Sequence, residues 1–212
     1  MRAKSKSKKQ KNKLRIFLIF FIGLAVIIFF MLNHQIKLKL RDIAVYKCEN
    51  NATDMINTAI QDTLNDESYT YNDLVEINKN SDNQITSVSC VSSNINKLKS
   101  QISDEINKGF EDREKNSFDI SVGTIAGVNF FSGIGPDITI HFEKEGSVKT
   151  NIKSSFKSSG INQTLHQIYI YVSADILAVT SSGTYKSNVK TEFLLAETVI
   201  VGEIPERYAS IS

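Results

Sequence analysis

Polar chemistry is concentrated in one short stretch, Gly160-Ile-Asn-Gln-Thr-Leu-His-Gln-Ile-Tyr-Ile170. His166 stands there with Asn162, Gln163 and Thr164, a set of donors and acceptors able to bind a polar ligand. An imidazole could also act as a general base, but that use requires a nucleophile or carboxylate brought in by the fold. The neighbouring strand residues Tyr169 and Tyr171 supply no acid. The structural alternative is that Asn162, Gln163 and Thr164 satisfy backbone groups where the chain enters a strand, since short polar side chains in turns make local bonds.

Other stretches offer less. Gly127, Gly133 and Gly135 punctuate Ala126–Pro136, but the segment lacks the Lys-Ser/Thr and helix start of a phosphate loop. Gly-Pro chemistry there reads as a turn. Lys149, Lys153 and Lys157 form a row that either binds a wall polymer or acidic partner, or serves as a solvated face discouraging edge-to-edge strand pairing. Cys48 and Cys90 are compatible with one disulfide outside the cytoplasm, or with two separate thiols, Cys90 as a small strand residue. Two cysteines without spaced histidines make no zinc site, so no metal and no cofactor is expected. Gly-x-Ser-x-Gly, His-Glu-x-x-His and Walker motifs do not occur.

These residues must be positioned by elements whose periods are readable. Eight cations and no acid occupy residues 1–15, and an uncharged apolar run follows from Ile16 to Leu32. A run of this kind approaches the ~20 residues a helix needs to cross a bilayer. The basic flank is expected to stay in the cytoplasm. The expected organisation is a basic cytoplasmic tail over 1–15, a single transmembrane anchor over 16–33, and an extracytoplasmic domain over 34–212. Met31–Gln35 offers no small-residue cleavage site. Beyond the tail, 17 basic residues face 23 acids, a net −6 that argues against a nucleic-acid partner.

The outer domain begins with helical periodicity from about Ile36 to Leu64, with Met55, Ile56, Ala59, Ile60 and Leu64 on the apolar side. Leu74–Ile77 and Ile85–Val91 predict a hairpin around Asn78–Asn83. A second helix is expected after Ser93 or Asn94 as N-cap, with Ile95, Leu98, Ile102, Ile106 and Phe110 facing inward. The C-terminal half alternates with period two around Ile138–Phe142, Val148–Phe156, Ile168–Ile176 and Tyr185–Phe193. Glycine-containing turns at Glu143–Gly146, Lys157–Gly160 and Thr180–Thr184 separate these runs. The fold class is α+β, an N-terminal transmembrane helix followed by helices packed on an antiparallel β-meander.

Four segments, Ser87–Leu98, Gly123–Pro136, Gly160–Ile170 and Ala196–Tyr208, together resemble the YunB-type sporulation proteins of endospore-forming bacteria. The chain departs from that pattern at Thr180-Ser-Ser-Gly183, where a proline-containing strand end would be expected. The resemblance implies a sporulation factor made in the mother cell and inserted in a membrane, with no catalytic residues to carry over. Two expectations follow. The first is a membrane-anchored structural or interaction factor of spore-envelope assembly, touching lipid through its anchor and an envelope protein or spore-envelope polymer through its outer domain. The second is an envelope enzyme acting on wall or cortex material, with His166 taking part.

Overall fold

The computed structural model describes residues 3–127, 132–160 and 162–202, except for the side chains of residues 3–16, 25, 28–30, 32 and 33. Residues 1 and 2, the side chains of the basic tail, and parts of the Ala126–Pro136, Gly160–Ile170 and Ala196–Tyr208 segments thus lie outside the described residues. The elements run α1 (Ala3–Asp66), α2 (Tyr71–Leu74), β1 (Val75–Lys79), β2 (Ile85–Cys90), α3 (Ser92–Glu111), β3 (Ser117–Ser121), α4 (Val122–Ala126), β4 (Asp137–Lys144), β5 (Lys149–Gly160), β6 (Gln163–Thr180) and β7 (Gly183–Val201). The α+β class is as expected. The chain divides into two compact units, one of Met1–Ala44 with Asp119–Ile138, the other of Val45–Phe118 with Thr139–Ser212.

In the first unit, α1 continues without a break through the expected anchor. Phe17 to Ile22 are six consecutive apolar side chains, each 53–69% exposed. Among the described residues no helix is long and apolar enough to cross a membrane; the expected span of 16–33 falls partly on side chains outside them. Near the other end of this unit, α4 is followed by Gly127 at φ +74°, and Lys39 Nζ donates to the Ala126 carbonyl at 2.9 Å. Val122 N–H donates to the Pro136 carbonyl and Gly123 N–H to that of Ile134, both at 3.0 Å. The described end of the glycine-rich segment, Ile134–Pro136, is therefore tied back on α4.

The second unit holds the larger core. From Cys48 the buried positions of α1 are Ala52, Ile56 and Ile60, with Ala59 and Thr63 beside them. Steps of four residues advance about 40° around a helix of 3.6 residues per turn, so this stripe winds slowly. Beside the stripe, Met55 packs against Gly109 of α3, where any Cβ would collide with its sulfur. Facing positions on α3 are Leu98, Ile102, Ile106 and Phe110, as the three- and four-residue spacing requires. The expected N-cap differs. Val91 precedes α3 without a side-chain cap, and the Asn94 amide instead donates to the Asp73 carbonyl at 2.7 Å. Cys48 is buried and Cys90 exposed, both as free thiols, so Cys90 is not an apolar strand position. Burial, with the neighbouring Glu49 charge, pushes the Cys48 thiol up to about 12.

β1 and β2 pair antiparallel as the expected hairpin. The larger sheet has the order β3-β4-β6-β5, with β7 also on β6. Along one edge of β6 runs β7, from Gln163↔Val201 to Thr180↔Gly183. Its other edge is shared end to end, β5 covering Gln163–Ser173 and β4 covering Ile176–Val179. His166, Ile168, Ile170, Val172, Ala174, Ile176 and Ala178 form its inner face, all buried. β7 contains a bulge: Ile168 pairs with Ala196 and Tyr169 with Leu194, leaving Leu195 unpaired. The inward set changes there from Val189, Thr191 and Phe193 to Ala196, Thr198 and Ile200.

Candidate functional site

The imidazole of His166 sits at the end of that inner row, 1% exposed. Two elements, α2 and β5, converge on it. α2 begins at Tyr71, held by Thr70, whose N–H and hydroxyl both donate to Asp73 Oδ2 at 2.8 and 2.6 Å. Those hydrogen bonds hold the Asp73 carboxyl below its ordinary range. The Tyr71 hydroxyl lies 2.6 Å from His166 Nδ1. From β5, Ser154 Oγ lies 3.0 Å from His166 Nε2. Phe156, directly opposite His166 in register, stacks on its ring with centroids 4.2 Å apart and planes at 12°.

Both ring nitrogens are therefore in hydrogen-bond contact with hydroxyls. Burial lowers the His166 pKa, favouring the neutral ring. Burial, with the Cys90 thiol as a smaller contribution, raises that of Tyr71, so the phenol keeps its proton at neutral pH. The result is a Tyr–His–Ser chain of uncharged groups. With Nε2 as acceptor, the imidazole could draw a proton from Ser154. The imidazolium so formed would have no carboxylate on Nδ1, the group that stabilises it in hydrolytic triads.

The four residues expected at the site are not gathered around one point. Asn162, at φ +64°, lies in the turn between β5 and β6, where its carbonyl accepts Gly202 N–H at 2.7 Å. Its Nδ2 is buried without a partner. Asn162 and Thr164 line a cleft of about 470 Å³ with Lys79, Asn83, Gln84 and Ile85 of the β1–β2 hairpin and Ile200–Gly202 of β7. Gln163 opens β6 with an exposed side chain and does not line that cleft. His166 is one inward position beyond Thr164 and belongs to the hydroxyl chain instead. The backbone reading of this segment is thus met at Asn162, while Asn162 and Thr164 also line a cleft.

The partners of His166 that sequence reasoning missed are Tyr71, Ser154 and Phe156. Ser154 and Phe156 were legible in principle: they alternate inward on β5, and the turn after Lys157 sets the register. Tyr71, 95 positions from His166, carried no sequence signal.

Residues 117–207 match the family described as Sporulation protein YunB (Spo_YunB). This stretch is YunB-type. Over 200 residues, 90% of this chain and 78% of the relative, the protein is 23% identical to Sporulation protein YunB of Bacillus subtilis (strain 168). No solved structure matches. The YunB-type region comprises the whole larger sheet, β3 to β7, and so contains Ser154, Phe156 and His166. Gly123–Pro136 and Gly160–Ile170 fall inside it, Ala196–Tyr208 does so up to residue 207, and Ser87–Leu98 falls outside, as does Tyr71. The YunB match ties the chain to sporulation proteins. At the departure from the family pattern, Thr180 pairs with Gly183 across a two-residue turn, and Thr180 Oγ1 accepts the Ser182 N–H at 3.1 Å. Serine and glycine close the hairpin there without proline.

The setting of His166 has a measurable consequence for stability. An unfolded histidine titrates near 6.5, and the folded value lies below that. Between the two values the unfolded chain binds more protons, so stability rises with pH. The contribution is complete above about pH 6.5 and is lost as pH falls from there through the lowered value. Urea unfolding of the wild type and of His166→Gln at about pH 5.5 and pH 7.5 isolates it from carboxylate titration. The wild type is expected to lose more stability on acidification than the variant, and parallel losses would show that His166 is not the group responsible.

Proposed function

We propose that the protein is a single-pass, membrane-anchored sporulation factor that works by binding, not catalysis, in spore-envelope assembly. Its N-terminus stays in the cytoplasm, and the α+β domain lies outside and meets an envelope protein or spore-envelope polymer. The non-catalytic reading is carried by the uncharged surroundings of His166: the hydroxyls on its nitrogens and the phenyl ring beneath it leave an imidazolium without a counter-charge. The anchor is supported by the exposure of Phe17 to Ile22. Six consecutive residues at about 100° per residue cover the full circumference of a helix, so no single packed face could shelter them. Lipid is the solvent that suits such a surface. The eight basic residues before Ile16 favour the cytoplasmic side for the tail.

The second reading, an envelope enzyme, is favoured by one observation, the 3.0 Å contact between Ser154 Oγ and His166 Nε2 on an exposed strand position. In that case His166 would take the Ser154 proton as the oxygen attacks an acyl carbon. One allele separates the two. Ser154→Ala removes the nucleophile and leaves the buried His166 Nε2 without its partner, a cost of about 1–3 kcal/mol, so the comparison is made at matched protein level. On the binding reading, a strain carrying it at normal protein level forms spores as the wild type does. A spore yield as low as that of a strain lacking the protein would refute the binding reading and establish catalysis as the one to pursue.

A further inference from the structure

The inner face of the larger sheet is filled by its own core, but the outer face of β5, β6 and β7 carries a second arrangement of polar and aromatic groups. On β5 the outward residues are Lys149, Asn151, Lys153, Ser155 and Lys157, opposite Ser173, Tyr171, Tyr169, Gln167 and Leu165 of β6. The three lysines are exposed and stand roughly 13 Å apart, four strand residues each. None of them is within ion-pair distance of a carboxylate among the described residues. Lys153 Nζ lies 5.2 Å from the Tyr171 ring, and the rings of Tyr169 and Tyr171 are 6.4 Å apart and tilted by 45°.

The carboxylates on this face are Glu192 and Glu197 of β7 and Asp175 of β6. Glu197 accepts a hydrogen bond from Gln167 Nε2 at 3.0 Å, and Asp175 Oδ1 accepts one from Asn188 Nδ2 at 2.6 Å. Lys190, opposite Ser173, adds a fourth cation. With Lys186 paired to Glu145, four lysines stand against three carboxylates, so the positive charge of the face is carried by the edge strand β5.

A second, independent observation sits in the middle of this row. Gln167 is only 8% exposed, and its Oε1 is a buried acceptor without a hydrogen-bond partner among the described residues. Such a group costs stability until a donor reaches it. A polyanion lacking donors would meet the lysines but leave this oxygen unsatisfied. A chain of sugar rings carrying hydroxyls and carboxylates would meet both needs and lay its C–H faces on the two tyrosines. The β7 bulge at Leu195 lies next to Gln167 and Tyr169, where it adds local twist to the sheet beneath them.

We infer that the outer face of β5–β6–β7 is a docking surface for a linear carboxylated polysaccharide, which lies along the Lys149–Lys153–Lys157 row over Tyr169 and Tyr171. This inference rests on the binding-factor reading above and names its ligand class and its site. An acidic protein and a simple polyanion are the competing occupants.

The test uses the full chain in mild detergent, with native gel retardation by polygalacturonate (a carboxylated glycan), dextran (a neutral glycan) and poly-glutamate (an anionic chain without sugars). The wild type should bind polygalacturonate at least about tenfold more tightly than either of the others, a difference of about 1.4 kcal/mol. The triple variant Lys149→Gln/Lys153→Gln/Lys157→Gln should lose at least that factor at unchanged Tm. Gln167→Leu, which removes the acceptor, should narrow the preference over poly-glutamate. Lys97→Gln, on α3, should bind as the wild type does. Equal retardation by poly-glutamate, absence of retardation by polygalacturonate, or full binding by the triple variant would each overturn the inference. The sporulation phenotype of Ser154→Ala is read separately, so failure here with wild-type spore yield there removes the polysaccharide and leaves the binding-factor reading standing.

Discussion

Deleting Thr191 is expected to prevent the chain from reaching its folded state, while deleting Leu195, four residues away on the same strand, is expected to be tolerated. β7 pairs with β6 along its length, and Thr191 is an inward, paired position opposite Val172. Removing it while the C-terminal part holds its register moves Lys190, Asn188 and Lys186 onto the inner face and turns Val189 to solvent. A strand slipped by one residue exchanges its two faces entirely. Burying unpaired lysine ammonium groups costs several kcal/mol each, against a total stability of about 5–15 kcal/mol. Leu195 is the unpaired residue of the bulge, and its neighbours Leu194 and Ala196 already face Tyr169 and Ile168. Its removal converts the bulge to regular pairing and loses one half-buried side chain, at a cost of about 1–2 kcal/mol. Thermal melts followed by circular dichroism should show a cooperative transition for the Leu195 deletion and none for the Thr191 deletion. A cooperative melt for both would show that the β6–β7 register is not held by its inner face.

The second large effect concerns the helix before the domain. Phe20→Asp combined with Ile22→Asp is expected to release the protein from membranes. Each aspartate at the centre of a spanning helix is disfavoured by about 3 kcal/mol relative to an apolar residue. Two together approach about 6 kcal/mol, or roughly four powers of ten in partition. The wild type should stay in the membrane pellet after alkaline carbonate washing and the double variant should appear in the supernatant. If both remain in the pellet, Phe17–Ile22 is not in contact with lipid, and the anchor must be sought elsewhere.

How much of this was legible beforehand differs by element. β6 could be read residue by residue, because Ile168, Ile170, Val172, Ala174 and Ile176 alternate without interruption and all are buried. β7 could be read only to Phe193, because the bulge at Leu195 breaks the period of two where the inward set changes parity. On α1, the apolar side was legible from Ile56 onward but not before it, where the large Leu38 is 49% exposed and the buried positions are Leu40, Ala44, Cys48 and Ala52. A stripe of alanine and cysteine has little hydrophobic contrast and escapes a search for large apolar side chains. β3 and α4, five residues each, are too short to carry a period. At the site, His166 was identified from its segment, but its partners come from β5 and α2. The hydroxyl chain is a product of register and long-range packing, which residue types along one strand do not encode.

The sharing of one edge of β6 by β5 and β4 bears on the order in which the domain assembles. Strands β6 and β7 are joined by the two-residue turn at Ser181–Ser182 and zip together through contacts that grow outward from it. β5 joins through an equally short turn, from Gly160 to Gln163. β4 reaches β6 by pairing Lys144 with Ile176 and His141 with Val179, which closes a far longer loop. Loop closure costs entropy before the contact returns anything, and non-local pairings slow folding. The β5–β6–β7 hairpins are therefore the expected nucleus, with β4 docking late. Substitutions in the Ser181–Ser182 turn should change the refolding rate, and substitutions in the β4–β6 pairs chiefly the unfolding rate.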